Sequence, residues 1–279
     1  MSTGMVLEGG GMRGLYTAGV LDTLLEEGIE VDGMVTVSAG ALFGINYASK
    51  QKGRALRYNI KYIKDKQYIG LKSWFKTGDV VNKEFAYYTV PFSLDIFDEQ
   101  TFKQAAIDFY ATVTNMETGL PEYVKIKEPF NQMESLRASG SMPFASKPVK
   151  LKGVNYLDGG VSDSIPLEKA QALGYDKNIV VLTRPLDYRK IKPNEFLIEG
   201  WYKNYPRFKE TLKNRYKNYN ETVETIIEEE NKGNTFVIRP SKTIKIKRLE
   251  RDPDKLREMY DLGVKDTRER MSELRDYLK

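Results

Sequence analysis

A chain of 279 residues can bury one substantial core or two modest ones, and no Pro/Ser/Gly-rich linker divides this one. Its 41% apolar and 30% charged residues describe a folded protein, while zero cysteines exclude disulfides and thiolate sites and zero histidines exclude a Ser-His-Asp triad. The net charge of +5 is uneven: residues 1–186 balance 21 basic against 21 acidic groups, and residues 187–279 carry 23 against 18.

In chain order, "GMVLEGG" reads as a short strand entering a glycine turn. "MRGLYTAGVLDTLLEEG" follows as a helix, with Gly14, Ala18, Leu21 and Leu25 on one stripe and Gly28 as its stop. "VDGMVTV" is a second strand and "SAGALFGINYAS" a second helix, so the first fifty residues open a parallel sheet covered by helices. Residues 51–110 are rich in Lys and Tyr and read as helical or irregular, with a helix expected at "DEQTFKQAAIDFYA". "TVTNMETG" reads as a strand end, "EYVKIK" as a strand, and "NQMESLRASGS" as a helix stopped before Pro143. "GVNYLDGGVSDSIPLEKAQALGY" gives a strand, a Gly-Gly turn and a helix, and "NIVVLTRP" has the unbroken apolar run of a buried parallel strand. Beyond Pro185 the texture changes. A long helix fits Pro206 to Glu230, with Phe208, Leu212, Tyr216, Tyr219, Val223 and Ile226 on one face; "NTFVIRP" is a late strand, and 252–279 hold one or two amphipathic helices.

Two chemistries fit the glycine turn "LEGGGMRG". Gly9, Gly11 and Gly14 satisfy G-x-G-x-x-G, the turn that seats a dinucleotide pyrophosphate. That reading needs an acidic residue at the C-terminal end of the second strand. Asp32 has roughly the right spacing but begins the strand, and Ser38 holds its end. A serine where strand turns sharply into helix is the setting of a nucleophile elbow, and Ala39, Gly40 and Ala41 leave room for close packing there. A helix N-cap serine is the plainer alternative. A serine nucleophile needs a base, and without histidine the best candidate is Asp158, at the end of a strand and followed by two glycines. A turn aspartate satisfied by its own backbone is the plainer alternative there.

Taken together, these segments resemble the patatin-like phospholipases, a family of Ser-Asp dyad acyl hydrolases. "EGGGMRG" resembles the family's oxyanion block, "SAG" its nucleophile elbow and "DGGVSDSIP" its aspartate block, while "ATVTNMETG" and "RASGSMPF" resemble two further blocks, all in the family's order from Met5 to about Pro185. Two positions depart from the pattern. Thr36 stands where G-x-S-x-G begins with glycine, and Glu8 where plant members often carry Asp.

The resemblance implies an α/β fold, a three-layer α/β/α arrangement around a mostly parallel sheet. Residues 1–186 would form the catalytic core and 187–279 a helix-rich extension packed on the same domain. It implies Ser38 as nucleophile, Asp158 as base, and an oxyanion hole from the N–H groups of Gly9, Gly10, Gly11 and Met12. Arg13 would bind substrate or hold the loop through a carboxylate. No cofactor and no metal are implied, and the substrate would be a lipid ester of the phospholipid or lysophospholipid type. An acyl-binding or thioesterase-type member is the nearest alternative, and a dinucleotide-binding oxidoreductase the next.

No signal-peptide pattern and no run of 18–20 apolar residues occurs, so a cytoplasmic location is expected. "WYKNYPRFKETLKNRYKNY" interleaves six basic residues with six aromatics. Helical spacing puts the aromatics on a core-facing stripe beside a basic row, which argues against nucleic acid and leaves peripheral contact with an anionic membrane as the functional reading.

Overall fold

The computed structural model describes the backbone of residues 1–279 and every side chain except those at positions 71 and 72. Eight strands form one sheet: β1 Thr3–Leu7, β2 Gly33–Val37, β3 Asp108–Asn115, β4 Pro121–Ile126, β5 Val149–Leu151, β6 Val154–Asp158, β7 Lys177–Val181 and β8 Thr235–Ile238. β3, β2, β1, β7 and β8 run parallel side by side, while β4 and β6 join β3 antiparallel and β5 pairs β6. The helices are α1 Leu15–Glu26, α2 Ala39–Ala48, α3 Arg54–Tyr62, α4 Leu71–Thr77, α5 Glu99–Gln104, α6 Met133–Ser139, α7 Leu167–Ala172, α8 Glu195–Trp201, α9 Pro206–Asn231, α10 Pro253–Glu269 and α11 Met271–Leu278.

Strand alternation sorts side chains into two layers. Met5, Leu7 and Met34 face a large core built with α1, α2, α3 and α10, and Val6, Val35, Val180 and Val237 face a second core with α7 and α9. This is the three-layer α/β/α arrangement, with a mostly parallel sheet. The C-terminal third enters both cores. β8 extends the sheet beyond β7, and α10 lies against α1.

Two details differ from the sequence reading. The helix expected across 98–111 ends at Gln104, and β3 begins at Asp108. Ala106 takes a left-handed φ of 54°, and the Phe109 and Ala111 that follow are fully buried on the sheet, so strand packing overrides helical periodicity there. β5 is only three residues long and carries no run that would mark it in sequence. Residues Glu84–Leu94 form a π-helical segment that contains Pro91. None of the helices among the described residues is long and apolar enough to cross a membrane.

The crossing of α1 and α10 depends on two glycines. A Cβ on Gly19 would stand 2.1 Å from the carbonyl oxygen of Tyr260, and one on Gly263 equally close to that of Tyr16. Backbone meets backbone at this crossing, and the Tyr16 hydroxyl donates to Asp266 across it at 3.1 Å. Gly19→Ala is therefore expected to lower stability by about 1–3 kcal/mol through overpacking, outweighing the ~1 kcal/mol gain in helix propensity. Urea unfolding should show an earlier midpoint; an unchanged or later one would contradict the close crossing.

Candidate active site

β3 brings the two candidate chemical groups together. One edge of β3 is paired along its length with β4. On the opposite edge β2 pairs up to Val37, which faces Thr112, and β6 takes over at the next residue, with Asp158 facing Val113. The C-terminal ends of a parallel and an antiparallel strand thus meet head-on. Ser38 follows the first end and Asp158 closes the second, although 120 residues separate them.

The Ser38 hydroxyl donates to Asp158 Oδ2 at 2.6 Å. Ser38 has φ 54° and ψ −121°, a left-handed conformation that costs a non-glycine residue about 1–3 kcal/mol and lifts its side chain out of the strand-to-helix turn. Its own N–H donates to Ser139 Oγ at 2.9 Å, which fixes the turn from the side of α6. α2 starts immediately after it, so the positive end of that helix lies beside the hydroxyl. Thr36, the departure from the elbow pattern, is fully buried, and its hydroxyl donates to the Tyr110 carbonyl at 2.7 Å. Its extra polar group is satisfied.

Asp158 is held from three sides. Its Oδ1 accepts from Gly160 N–H at 2.7 Å, its N–H donates to Ser141 O at 2.8 Å, and Thr114 Oγ1 donates to its carbonyl at 2.8 Å. Burial raises its pKa above the usual aspartate value, against the opposing pull of the Ser38 hydroxyl, Arg215, Gly160 N–H and Arg248. A carboxylate held in this way is a better base than a solvated one.

The glycine turn runs alongside. Among the described residues no protein acceptor faces the N–H groups of Gly10 and Gly11. Gly11 has no room for a Cβ, since φ is +59° and a Cβ would lie 2.5 Å from the Arg248 carbonyl oxygen. Gly9 and Met12 are placed differently from the expectation. Their N–H groups already donate to Ser164 O at 3.4 Å and to Arg248 O at 2.9 Å, leaving Gly10 and Gly11 as the open donors. Glu8 is buried and accepts from Thr183 N–H at 2.6 Å and from the Tyr219 hydroxyl at 3.0 Å, so it ties the turn to the segment that follows β7 and to α9.

Arg13 is buried without a carboxylate partner among the described residues, and its Nε has no hydrogen-bond partner. Burial and the nearby Arg184 push its pKa down to about 10, partly offset by Glu8. Asp32, the acidic residue of the dinucleotide reading, accepts from Thr3 N–H at 2.6 Å at the other end of the sheet. It is remote from the turn.

Ser38 lies between two pockets. One is an apolar cleft lined by Leu42, Phe43, Tyr87, Val90, Met133 and Leu136; the other is small and polar, with Asp158, Arg13 and further cations on its walls. Sequence reasoning missed Ser139, the π-helical wall of the cleft, and the basic residues contributed from beyond residue 183. Arg248 lies in the basic stretch "KTIKIKRLER", but nothing in its spacing ties it to the glycine turn. The basic row of α9 is partly neutralised, since Lys209 and Lys213 pair with Glu199 of α8, both at 2.5 Å.

Removing the hydroxyl in two ways separates strain from chemistry. Ser38→Gly and Ser38→Ala both abolish the bond to Asp158, but glycine adopts φ 54° freely. The glycine variant should be the more stable by about 1–2 kcal/mol in denaturant titration; equal stability would mean that the turn stores no strain.

A family model for Patatin-like phospholipase matches residues 5–170, and one for a domain of unknown function (DUF6363) matches residues 205–279. The chain is 29% identical over 191 residues to the uncharacterized protein YjjU of Escherichia coli, in a match covering 65% of this chain and 52% of YjjU. It is 31% identical over 183 residues to the lysophospholipase nte1 of Aspergillus fumigatus, covering 63% of this chain and 11% of that protein. The chain therefore spans only about half of the first relative and a small part of the second. Among solved structures, VipD from Legionella pneumophila aligns with a TM-score of 0.44 and 13% identity, covering 96% of this chain and 66% of that one.

Proposed function

The chain belongs to the patatin-like phospholipase family, and from that premise we propose that it hydrolyses carboxylic esters of lipids, with Ser38 as nucleophile and Asp158 as its base. The observation that carries this reading is the 2.6 Å contact between Ser38 Oγ and Asp158 Oδ2, at a strained turn that lines one pocket with Gly10 and Gly11, whose N–H groups have no acceptor among the described residues.

The acyl chain lies in the apolar cleft, where Leu42, Phe43, Val90 and Met133 replace water around it. Ser38 Oγ attacks the ester carbonyl while its proton passes to Asp158 Oδ2. The oxyanion of the tetrahedral intermediate is held by Gly10 and Gly11 N–H, each such donor being worth on the order of 3–4 kcal/mol in the transition state. Collapse of the intermediate returns the proton from Asp158 to the departing alcohol and leaves an acyl-Ser38. Water, deprotonated by the same carboxylate, attacks that acyl group and releases the fatty acid, restoring both residues.

Two measurements follow. A fluorophosphonate probe should modify Ser38 in the wild type, and Asp158→Asn should lower kcat on a p-nitrophenyl acyl ester by about a thousandfold or more. Label on another residue, or undiminished turnover, would remove the dyad. The acid limb of kcat/KM should report Asp158. The base must be ionised, and burial raises its pKa, so activity should fall as pH drops through a value above the ~3.9 of an ordinary aspartate. A limb at or below that value would point to a different, solvated base.

A further inference from the structure

The polar pocket beside Ser38 holds more positive charge than hydrolysis of a neutral ester needs. Arg13, Arg184, Lys190, Arg215 and Arg248 all line it. Among the described residues only two carboxylates share the space, and both are occupied. Glu8 accepts from Thr183 and Tyr219, and Asp158 from Ser38 and Gly160. Among the described residues none of the five cations forms an ion pair, although such pairs are common elsewhere on this surface.

Three of these cations are nonetheless held in place. Lys190 Nζ donates to Ser164 Oγ at 3.0 Å and sits 3.4 Å from the centre of the Tyr219 ring. Arg184 stacks on Tyr188 at 4.1 Å, and Arg215 Nε donates to the Gly160 carbonyl. Arg13 is nine-tenths buried with its Nε unpartnered. Burial, and after it mutual repulsion, pulls the proton affinities of Arg13, Lys190 and Arg215 down. Uncompensated positive charge in so small a space is costly unless an anion enters.

We propose that the region beyond residue 183 makes this pocket an anion subsite for a phosphate on the alcohol side of the scissile ester, so that an ester carrying negative charge there is preferred over a neutral one. This rests on the hydrolase reading above. Ser38, Gly11, Met142 and Arg248 line both pockets, so an amphiphile spanning them places its ester at Ser38, its chain in the cleft and its phosphate among the cations. Guanidinium forks match the oxygens of a phosphate, and a phosphomonoester carrying nearly two charges offsets most of the positive charge that Glu8 and Asp158 leave uncompensated. Lys190, Arg215 and Arg248 lie beyond the matched Patatin-like region, and the last two fall within the matched domain of unknown function. The C-terminal region thereby acquires a role, as the reader of the head group.

The test is equilibrium binding by calorimetry, below micelle-forming concentrations, using dodecyl phosphate, 1-O-dodecylglycerol and inorganic phosphate. Wild type should bind dodecyl phosphate about tenfold or more tightly than the neutral glycerol ether, and Arg184→Gln/Arg248→Gln should erase that preference. Arg248→Gln alone, at an exposed side chain that forms no hydrogen bond among the described residues, should weaken it if the double variant folds poorly. Equal affinity for the charged and neutral amphiphiles, or a preference that survives in the arginine variants, would overturn the proposal. Inorganic phosphate binding as tightly as dodecyl phosphate would overturn the head-group assignment. Ser38→Ala should keep the preference. Failure of the hydrolase reading would appear separately, as absent fluorophosphonate labelling with anion preference intact.

Discussion

The handover on the edge of β3, from β2 at Thr112 to β6 at Val113, is the constraint from which the site follows. Two strands of opposite direction end at neighbouring residues of a third, so whatever terminates them must meet. Slipping β6 by one residue would turn Asp158 to the other face of the sheet and part it from Ser38. The register is defended locally. Thr114 clasps the Asp158 carbonyl, Ser141 accepts its N–H, and Gly159 crosses Thr112 so closely that a Cβ would lie 2.2 Å from its carbonyl oxygen.

Around that junction the fold maintains groups that are unfavourable in isolation. Ser38 holds a left-handed backbone, Asp158 is a buried carboxylate, and five cations gather without carboxylate partners among the described residues. The fully buried strands β1 and β2, packed between two layers of helices, over-determine the position and offset the cost. The same arrangement divides the surroundings of Ser38 into an apolar and a cationic side. An ester lying between them has an obvious orientation.

Much of this was legible in the sequence, and the reason is local. Strand, glycine turn and helix at residues 4–27 and 31–49 are encoded by short-range periodicity, and Ser38 could be placed at a strand end from seven preceding residues. Asp158 carried a weaker signal, made specific only by the family blocks around it. What stayed hidden depends on tertiary register. Ser139 resembles any helix-terminal serine until α6 is packed against the elbow, and Lys190, Arg215 and Arg248 resemble solvated charges until the chain folds them over the glycine turn. The helix drawn across 98–111 failed because Phe109 and Ala111 suit either periodicity, and the open edge of β2 decides between them. Gly9 and Met12 could not be separated from Gly10 and Gly11 without the carbonyls of Ser164 and Arg248 that occupy them.

The central claim is geometric: Ser38 is the nucleophile, and an oxyanion formed on it points at Gly10 and Gly11. A crystal structure of the adduct with an alkyl fluorophosphonate tests this most directly, because the phosphoryl oxygen mimics the tetrahedral oxyanion. The account predicts a bond to Ser38 Oγ, with the phosphoryl oxygen about 2.7–3.1 Å from both glycine nitrogens and the alkyl group in the apolar cleft. An adduct on another residue, or a phosphoryl oxygen turned away from both N–H groups, would contradict it.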